Sequence, residues 1–423
     1  MIPNHVRKYL DSRGYTGPLG ISGPESGHCL GAIVIPSLAE SGSLLATLRS
    51  LAGNSPDLLS RFLVLVVVNH RTDASFADKN DNHLTLRLLG ENMASLAPLR
   101  LAWVDAASPG MELPAQGGGV GLARKIGFDL SLTRLAYENS DPLLVALDAD
   151  TLVRPDYLSA LVGHFRKTAA GGAVIPFCHQ DGGSARHNRA ILRYELFLRC
   201  YVLGLSRAGS PYAFHTVGSA MACTAGAYVR AGGMSGRVAG EDFYFLQQLQ
   251  KTSGVARVAG TVVYPSARAS HRVPFGTGRS VGRILSGEEG AVLFYQHECF
   301  RLLGEWLACV ADGIDRTGKE VHALSRDISG HLYEYLDCIR FVDVWEKLRC
   351  THRDRSSLRN AFHCWFDGLK TMKLVHHLSA ACYPRSEPGE VVPRLFAWAG
   401  LQRLEGPEDQ LALLRGLQAG EDI

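Results

Sequence analysis

No stretch of the 423-residue chain runs to the ~18 consecutive apolar positions that a membrane-spanning helix needs. None of its 10 cysteines stands in a Cys-x-x-Cys pair, which excludes the zinc ribbons and dithiol motifs built on that spacing. Cys29, Cys178, Cys200, Cys223, Cys299 and Cys338 sit mostly inside apolar segments, where a free thiol packs as a small hydrophobe. There is no basic stripe either: 44 Lys and Arg are mixed along the chain with 41 Asp and Glu, for a net charge of +3. A nucleic-acid partner is therefore not expected. Internal repeats and low-complexity tracts are missing, and Met1 to Tyr15 is polar, without the apolar core of a signal peptide. The expectation from these absences is a reduced, cytoplasmic protein with no transmembrane segment.

What is present is an ordinary globular composition, 46% hydrophobic and 20% charged. A chain of this length is too long for one ordinary core, so two domains are expected. Met1 to Cys29 is punctuated by glycine and proline and reads as an extended arm, giving an N-terminal segment 1–30. From Gly31 the pattern alternates. Gly31 to Pro36, Phe62 to Asn69, Leu99 to Val104, Leu143 to Leu147 and Gly172 to Phe177 read as strands, and Leu44 to Leu51, the stretch after Gly121 and Pro155 to Lys167 as helices. Residues 70–98 show no clear period. Such alternation predicts an α/β fold, a mostly parallel sheet with helices on both faces. After about Ser286 the chain turns helical and rich in Leu, Phe, Trp and His, so 31–285 and 286–423 are the two expected domains.

Four stretches carry candidate chemistry. Leu143-Leu-Val-Ala-Leu-Asp148-Ala-Asp150 is an unbroken apolar run ending in two carboxylates at i and i+2. Ligands of open α/β sheets gather at such strand ends, and two acids there can share a hard divalent cation while leaving positions for phosphate oxygens. Gly117-Gly118-Gly119 and Gly121 feed a helix that bears Arg124 and Lys125 in its first turns. Free backbone N–H groups favour an anion there, though neither a dinucleotide nor a Walker fingerprint is present. Gly240-Glu241-Asp242 opens a helix with two adjacent acids, as helix-end charges or as a shielded general base. Arg268 to Arg279 mixes basic side chains and glycines without period, which suits a phosphate loop, with His271 as a third metal ligand.

Together these residues resemble the nucleotide-diphospho-sugar glycosyltransferases of GT-A fold, within them the family 2 type, over roughly Ala32 to Arg279. Ala32 to Pro36 followed by Glu40 is similar to the family's first strand and Pro-x-x-x-Glu element. Gly117 to Gly121 with Ala123-Arg124 is similar to its diphosphate segment, Asp148-Ala149-Asp150 to its Asp-x-Asp motif, and Gly232-Gly233 with Glu241-Asp242 to its Gly-Gly and Glu-Asp pair. The resemblance implies a hexosyltransferase moving sugar from a nucleoside-diphosphate donor to an acceptor hydroxyl of unknown identity, with inversion. It implies Asp242 as catalytic base and Pro36, Glu40, Asn69, Gly119, Arg124, Asp148 and Arg272 at the donor. Asp150, Asp148 and His271 would hold Mn²⁺ or Mg²⁺.

The chain departs from the family where Val68 replaces the Asp of an Asp-Asn-x-Ser-x-Asp element and Ala39 replaces an Asn before Glu40. Base recognition is expected to differ there. Three other readings stay open: a retaining GT-A enzyme making a glycosyl glycerate or similar small glycoside, a nucleotidyltransferase, and a non-catalytic nucleotide-sugar binding module. The helical part is expected to shape the acceptor site or a homodimer interface. Its histidines, His322, His331, His352, His363, His376 and His377, show no zinc spacing along the chain.

Overall fold

In the computed structural model, residues 2–23, 27–138, 141–270, 276–288 and 290–420 are described. The chain divides into two compact units. One comprises Met1–Asn188, Thr216–Gly282 and Arg415–Ile423, the other Arg189–His215 and Arg283–Leu414. The second unit thus takes in a segment from the middle of the chain as well as the later helices.

The first unit is built on strands β1 (Gly31–Ser37), β2 (Phe62–Asn69), β3 (Arg100–Ala106), β4 (Leu143–Ala146), β5 (Leu152–Val153), β6 (Gly172–Val174), β7 (Met221–Thr224), β8 (Val255–Arg257) and β9 (Val263–Tyr264). Seven of them form one sheet in the order β3-β2-β1-β4-β7-β6-β8, and β5 pairs with β9. Within the large sheet β7 alone runs against its neighbours β4 and β6; the others are parallel. Every residue of β1 and β2 is buried, so both faces of the sheet are covered, and the chain supplies unbroken Val, Ile and Leu runs in place of alternation. This is the mostly parallel sheet with covered faces that the alternation of strands and helices predicts.

Helices α1 (Asn4–Arg13), α2 (Leu44–Ala52), α3 (Pro56–Leu59), α4 (Phe76–Asn92), α5 (Val120–Ser131) and α6 (Tyr157–Lys167) lie between the strands or before them. They are followed by α7 (Ala185–Arg207), α8 (Ala225–Arg230), α9 (Glu241–Ser253) and α10 (Thr277–Leu285). Helix α5 comes close to β1 because residue 127 is glycine: a Cβ there would stand 2.3 Å from Val34 Cγ1. The connection leaves β1 for β2 and β3 on one side, while β4 pairs on the other. That reversal is the topological switch point where such sheets hold ligands. Residues 31–34 of β1 pair with 143–146 of β4, so β1 runs on to Ser37 beside the point where β4 ends and Asp148 begins.

Two expectations need correction. The N-terminal arm is not extended throughout, because α1 is helical. The Tyr9 and Tyr228 hydroxyls donate to Asp129 Oδ1 at 2.9 and 2.7 Å, and Lys125 and the Tyr15 N–H donate to Oδ2 at 2.6 and 2.9 Å. A buried carboxylate on α5 thereby draws α1 onto this unit. The stretch 70–98 holds the 17-residue helix α4. Its buried face is Asn82, Thr85 and Leu89, mostly polar, so it shows no apolar stripe in the sequence.

The second unit is helical. To residues 189–207 of α7 it adds α11 (His297–Asp312), α12 (Gly318–Ile328), α13 (Gly330–Cys338), α14 (Phe341–Thr351), α15 (Arg355–Trp365), α16 (Gly368–Ala381), α17 (Pro388–Ala399) and most of α18 (Pro407–Ala419). Its core is aromatic: Trp306 meets Phe341 edge-on at 5.0 Å, and Phe362 stacks on Phe366 at 5.6 Å. Thr317 and Glu320 close a capping box on α12, and Ser329, Asp354 and Asp367 cap α13, α15 and α16. Among the described residues no helix is long and apolar enough to cross a membrane.

Candidate active site

Asp148 and Asp150 follow β4 directly, and the turn that bears them is held from three sides. The Thr151 N–H donates to the Asp148 carbonyl at 3.1 Å, and Thr47 Oγ1 of α2 donates to the Ala149 carbonyl at 2.9 Å. The Gln180 side-chain amide donates to the Asp150 and Tyr264 carbonyls at 2.8 and 2.6 Å, beside the β5–β9 pair. Ala149 is buried, whereas Asp148 is 35% and Asp150 22% exposed. The two carboxylates therefore reach solvent on either side of a buried residue, as alternate positions of an extended turn do.

Arg124 lies under Asp148. It sits one turn into α5, only 3% exposed. Its Nη2 donates to Asp148 Oδ1 and its Nη1 to Glu241 Oε1, while its buried Nε has no partner among the described residues. Gly218 makes the room: a Cβ at that position would fall 2.5 Å from Arg124 Nη2. Burial by itself lowers the arginine's pKa, but Asp148, then Glu241 and Asp242, reverse that and hold the guanidinium charged.

The glycines before α5 act through close approach. A Cβ at Gly121 would stand 2.3 Å from the Arg237 carbonyl oxygen and 3.0 Å from Glu241 Cβ. Residues 235–241 can therefore lie across the start of α5 and bring the first turn of α9 beside Arg124. Gly240 enters that turn in the left-handed region, at φ 72°, a conformation that other residues rarely adopt. Asp242 is half-buried and accepts a hydrogen bond from the Phe243 N–H at 2.7 Å. Burial and then the neighbouring Glu241 push its pKa up to about 7, against the opposing pull of Arg124. Glu241 is also raised by burial, with Arg124 working the other way.

A second arginine closes the other side. Arg268 Nη2 lies 2.9 Å from Asp150 Oδ2 and also donates to Glu40 Oε1. Burial lowers the pKa of Arg268, and Asp150 with Glu40 more than restores it. Glu40 is buried, accepts from the Ser43 hydroxyl, and follows Ala39, which is held at φ 53°. Asn82 holds that strained loop: its Oδ1 accepts the Ala39 N–H at 2.8 Å, and its amide donates to the Asn69 carbonyl at 3.0 Å. The two clusters together contain five carboxylates (Glu40, Asp148, Asp150, Glu241, Asp242) and two guanidiniums. That excess of negative charge favours a cation or a bound proton.

The residues singled out from the sequence fall as follows. Arg124, Asp148 and Asp242 share one cluster, and Asp150 and Glu40 another. Pro36 is buried near the end of β1, and Gly119 caps α5. The Asn69 amide donates to the Ser37 and Val67 carbonyls at 3.2 and 3.0 Å, so its hydrogens point into the backbone of β1 and β2. His271 and Arg272 lie outside the described residues. Sequence reasoning did not identify Glu241 as the second partner of Arg124, nor Arg268 as the bridge between Glu40 and Asp150. Both stand in stretches that the sequence marks, but a pairing across 228 positions leaves no trace in local pattern.

Residues 143–285 match the family model described as glycosyl transferase family group 2. No curated protein matches the chain. Among solved structures it is similar to S. aureus TarS 1–349 in complex with UDP-GlcNAc, at 12% identity and a TM-score of 0.40, over 78% of this chain and 89% of that one. It is also similar to the mannosyltransferase PcManGT from Pyrobaculum calidifontis in complex with GDP-Man and Mn²⁺, at 14% identity and a TM-score of 0.37, over 98% and 92%. A third is GalNAc-T7 with UDP, GalNAc and Mn²⁺, at 15% identity and a TM-score of 0.37, over 62% and 48%. Likenesses of this size assign no role to any residue.

Proposed function

We propose that this chain, whose residues 143–285 carry the family group 2 match, is a glycosyltransferase that carries out metal-dependent transfer of a sugar from a nucleoside diphosphate to an acceptor hydroxyl, with inversion. One arrangement supports the reading. A buried Arg124 is clasped by Asp148 at a strand end and by Glu241 at a helix start, beside an Asp242 pushed up to about 7.

Asp242 is the group that takes the acceptor proton. A base works best when its pKa lies near the working pH, and burial has moved this carboxylate there. Arg124 stays charged and, with its Nη atoms fixed on Asp148 and Glu241, holds Asp148 in place at the site where charge develops on the departing diphosphate. Asp150 and Asp148 supply hard oxygen donors at i and i+2, and no described side chain takes the second oxygen of Asp148. This donor set fits Mn²⁺ or Mg²⁺. Such an ion, when bound, neutralises charge on the diphosphate. Arg268 holds Asp150 and Glu40 in position beneath it, and Asn69 braces the end of β1, where the donor's base would lie.

The test is a thermal-shift screen of nucleoside diphosphates and their sugars, with and without Mn²⁺, followed by the anomeric configuration of the product. Binding to the native chain raises its midpoint by mass action. A metal-dependent shift with one nucleoside, lost in Asp150→Ala, is the expected result. An unchanged donor affinity of Asp150→Ala with Mn²⁺ present would remove the metal assignment. A product that retains the donor's anomeric configuration would replace inversion by the retaining reading.

A further inference from the structure

The histidines of the second unit are scattered along the chain, yet folding gathers two of them with a glutamate. His331 and Glu334 lie one turn apart on α13, and His377 comes from α16. One ligand atom from each, a ring nitrogen or a carboxylate oxygen, lies within 4.8 Å of the other two, and this is the one such set of three among the described residues. We propose that His331, Glu334 and His377 form a site for a borderline transition-metal ion, Zn²⁺ foremost, separate from the carboxylates of the donor site.

Three observations support this assignment. First, the ligands sit on helices that are tied together. Ser329 accepts from the Leu332 N–H and fixes the first turn of α13. The Tyr335 hydroxyl donates to the Lys370 carbonyl of α16 at 2.9 Å, and His377 Nε2 stands 3.1 Å from the His331 carbonyl. Second, the spacing is close to what an ion requires. His331 Nδ1 and Glu334 Oε2 are 3.3 Å apart, and donors at about 2.0–2.1 Å from a tetrahedral zinc are about 3.3 Å from each other. Small side-chain rotations bring in the third ligand, and the exposure of His331 (44%) and Glu334 (65%) leaves them free to make those rotations. Third, the donor set discriminates. Two imidazoles and one carboxylate suit Zn²⁺, Ni²⁺ or Cu²⁺, whereas Mg²⁺ prefers oxygen throughout. Three protein ligands also leave one position for water. An ion held here would clip α13 to α16 and stabilise the folded chain in proportion to its occupancy.

The full chain, stripped with a chelator and kept in excess Mg²⁺ to occupy the donor-site acids, is titrated with Zn²⁺ by calorimetry. Co²⁺ absorption serves as a second probe. One ion per chain with a Kd of about 10 µM or tighter is expected. Weakening by about tenfold or more is expected in both His377→Ala and Glu334→Gln, with nucleoside-diphosphate binding unchanged. Should His377→Ala fail to fold, Glu334→Gln decides, since that side chain is mostly in solvent. The proposal is overturned by the absence of binding at about 100 µM Zn²⁺ or by wild-type affinity in a folded variant. A thiolate charge-transfer band with Co²⁺, which would place the ion on the exposed Cys338, Cys350, Cys364 or Cys382, overturns it as well.

Discussion

Arg124 connects a strand end to a helix start, and its substitution has to be read on both. Replacing it with Lys keeps the charge but removes the fork that reaches Asp148 and Glu241 together. The expected loss in kcat/KM is about 100-fold. Leaving Glu241 buried with a poorer partner should also destabilise the chain by roughly 3 kcal/mol, measurable by urea unfolding. Asp242 gives a pH signature. As the base it must be deprotonated, so the transfer rate should rise with pH through a midpoint at about 7. Asp242→Asn should bind donor, turn over at least about 100-fold more slowly and show no such midpoint. The same shift has a cost in stability. The folded chain holds this proton more tightly than the unfolded one, so stability from this group is present at low pH and is lost as pH rises from the unfolded value toward about 7. Asp242→Asn should therefore melt above the parent at pH 8 and level with it at pH 4. At this scale the sequence was informative about single residues. Asp148, Asp150 and Asp242 stand out because acids interrupt apolar or glycine-rich context, and Arg124 because it follows glycines into a helix. The pairings among them depend on which elements meet, and local spacing carries no information about that.

Elements were legible where their buried face is apolar. The runs that became β1, β2 and β4, and the stripe that became α6, could be read directly because burial on the sheet demands Val, Ile and Leu. Helix α4 could not, since it buries Asn82 and Thr85 and uses them to hold backbone rather than to fill a core. Helix α1 could not be read either, since it buries only Val6 and Tyr9, and Tyr9 docks in part by a hydrogen bond to the Asp129 carboxylate. That dependence can be tested. Asp129→Ala strands the Tyr9 and Tyr228 hydroxyls and Lys125, and should cost about 3 kcal/mol. Faster hydrogen exchange across Asn4–Arg13 than across α6 would mark the release of α1; equal protection in variant and parent would show that α1 is held by other means. Gly121→Ala should be harmful for a different reason. Its methyl group would push residues 235–241 away from α5 and separate Asp242 from Arg124. The expected result is a larger loss in transfer rate than in melting temperature.

For the whole molecule, the α/β half followed by helices was legible from the change in hydrophobic period near residue 286. What period could not reveal is that the second unit begins earlier, with Arg189–His215. An amphipathic helix reads the same whichever unit receives its apolar face. The aromatic centre of that unit gives a test confined to it. Trp306→Ala should lower stability by about 3–5 kcal/mol, seen as an earlier unfolding transition by calorimetry.

The interleaving of the two units bears on how such a chain is made and how it can change. Strand β7, which joins β4 to β6, leaves the ribosome only after Arg189–His215 has been synthesised, so the sheet is completed at a time when that segment is made but the rest of its unit is not. A polypeptide stopped at residue 285 would have its sheet strands but would leave Leu196, Cys200 and Leu205 of that segment without the helices of its unit. Recombination faces the same constraint. Because the units alternate along the chain, exchanging one for a homologous counterpart requires four crossovers, at 188/189, 215/216, 282/283 and 414/415, where a beads-on-a-string arrangement would need one. Lineages of this chain should therefore have inherited the sheet and its helical companion together.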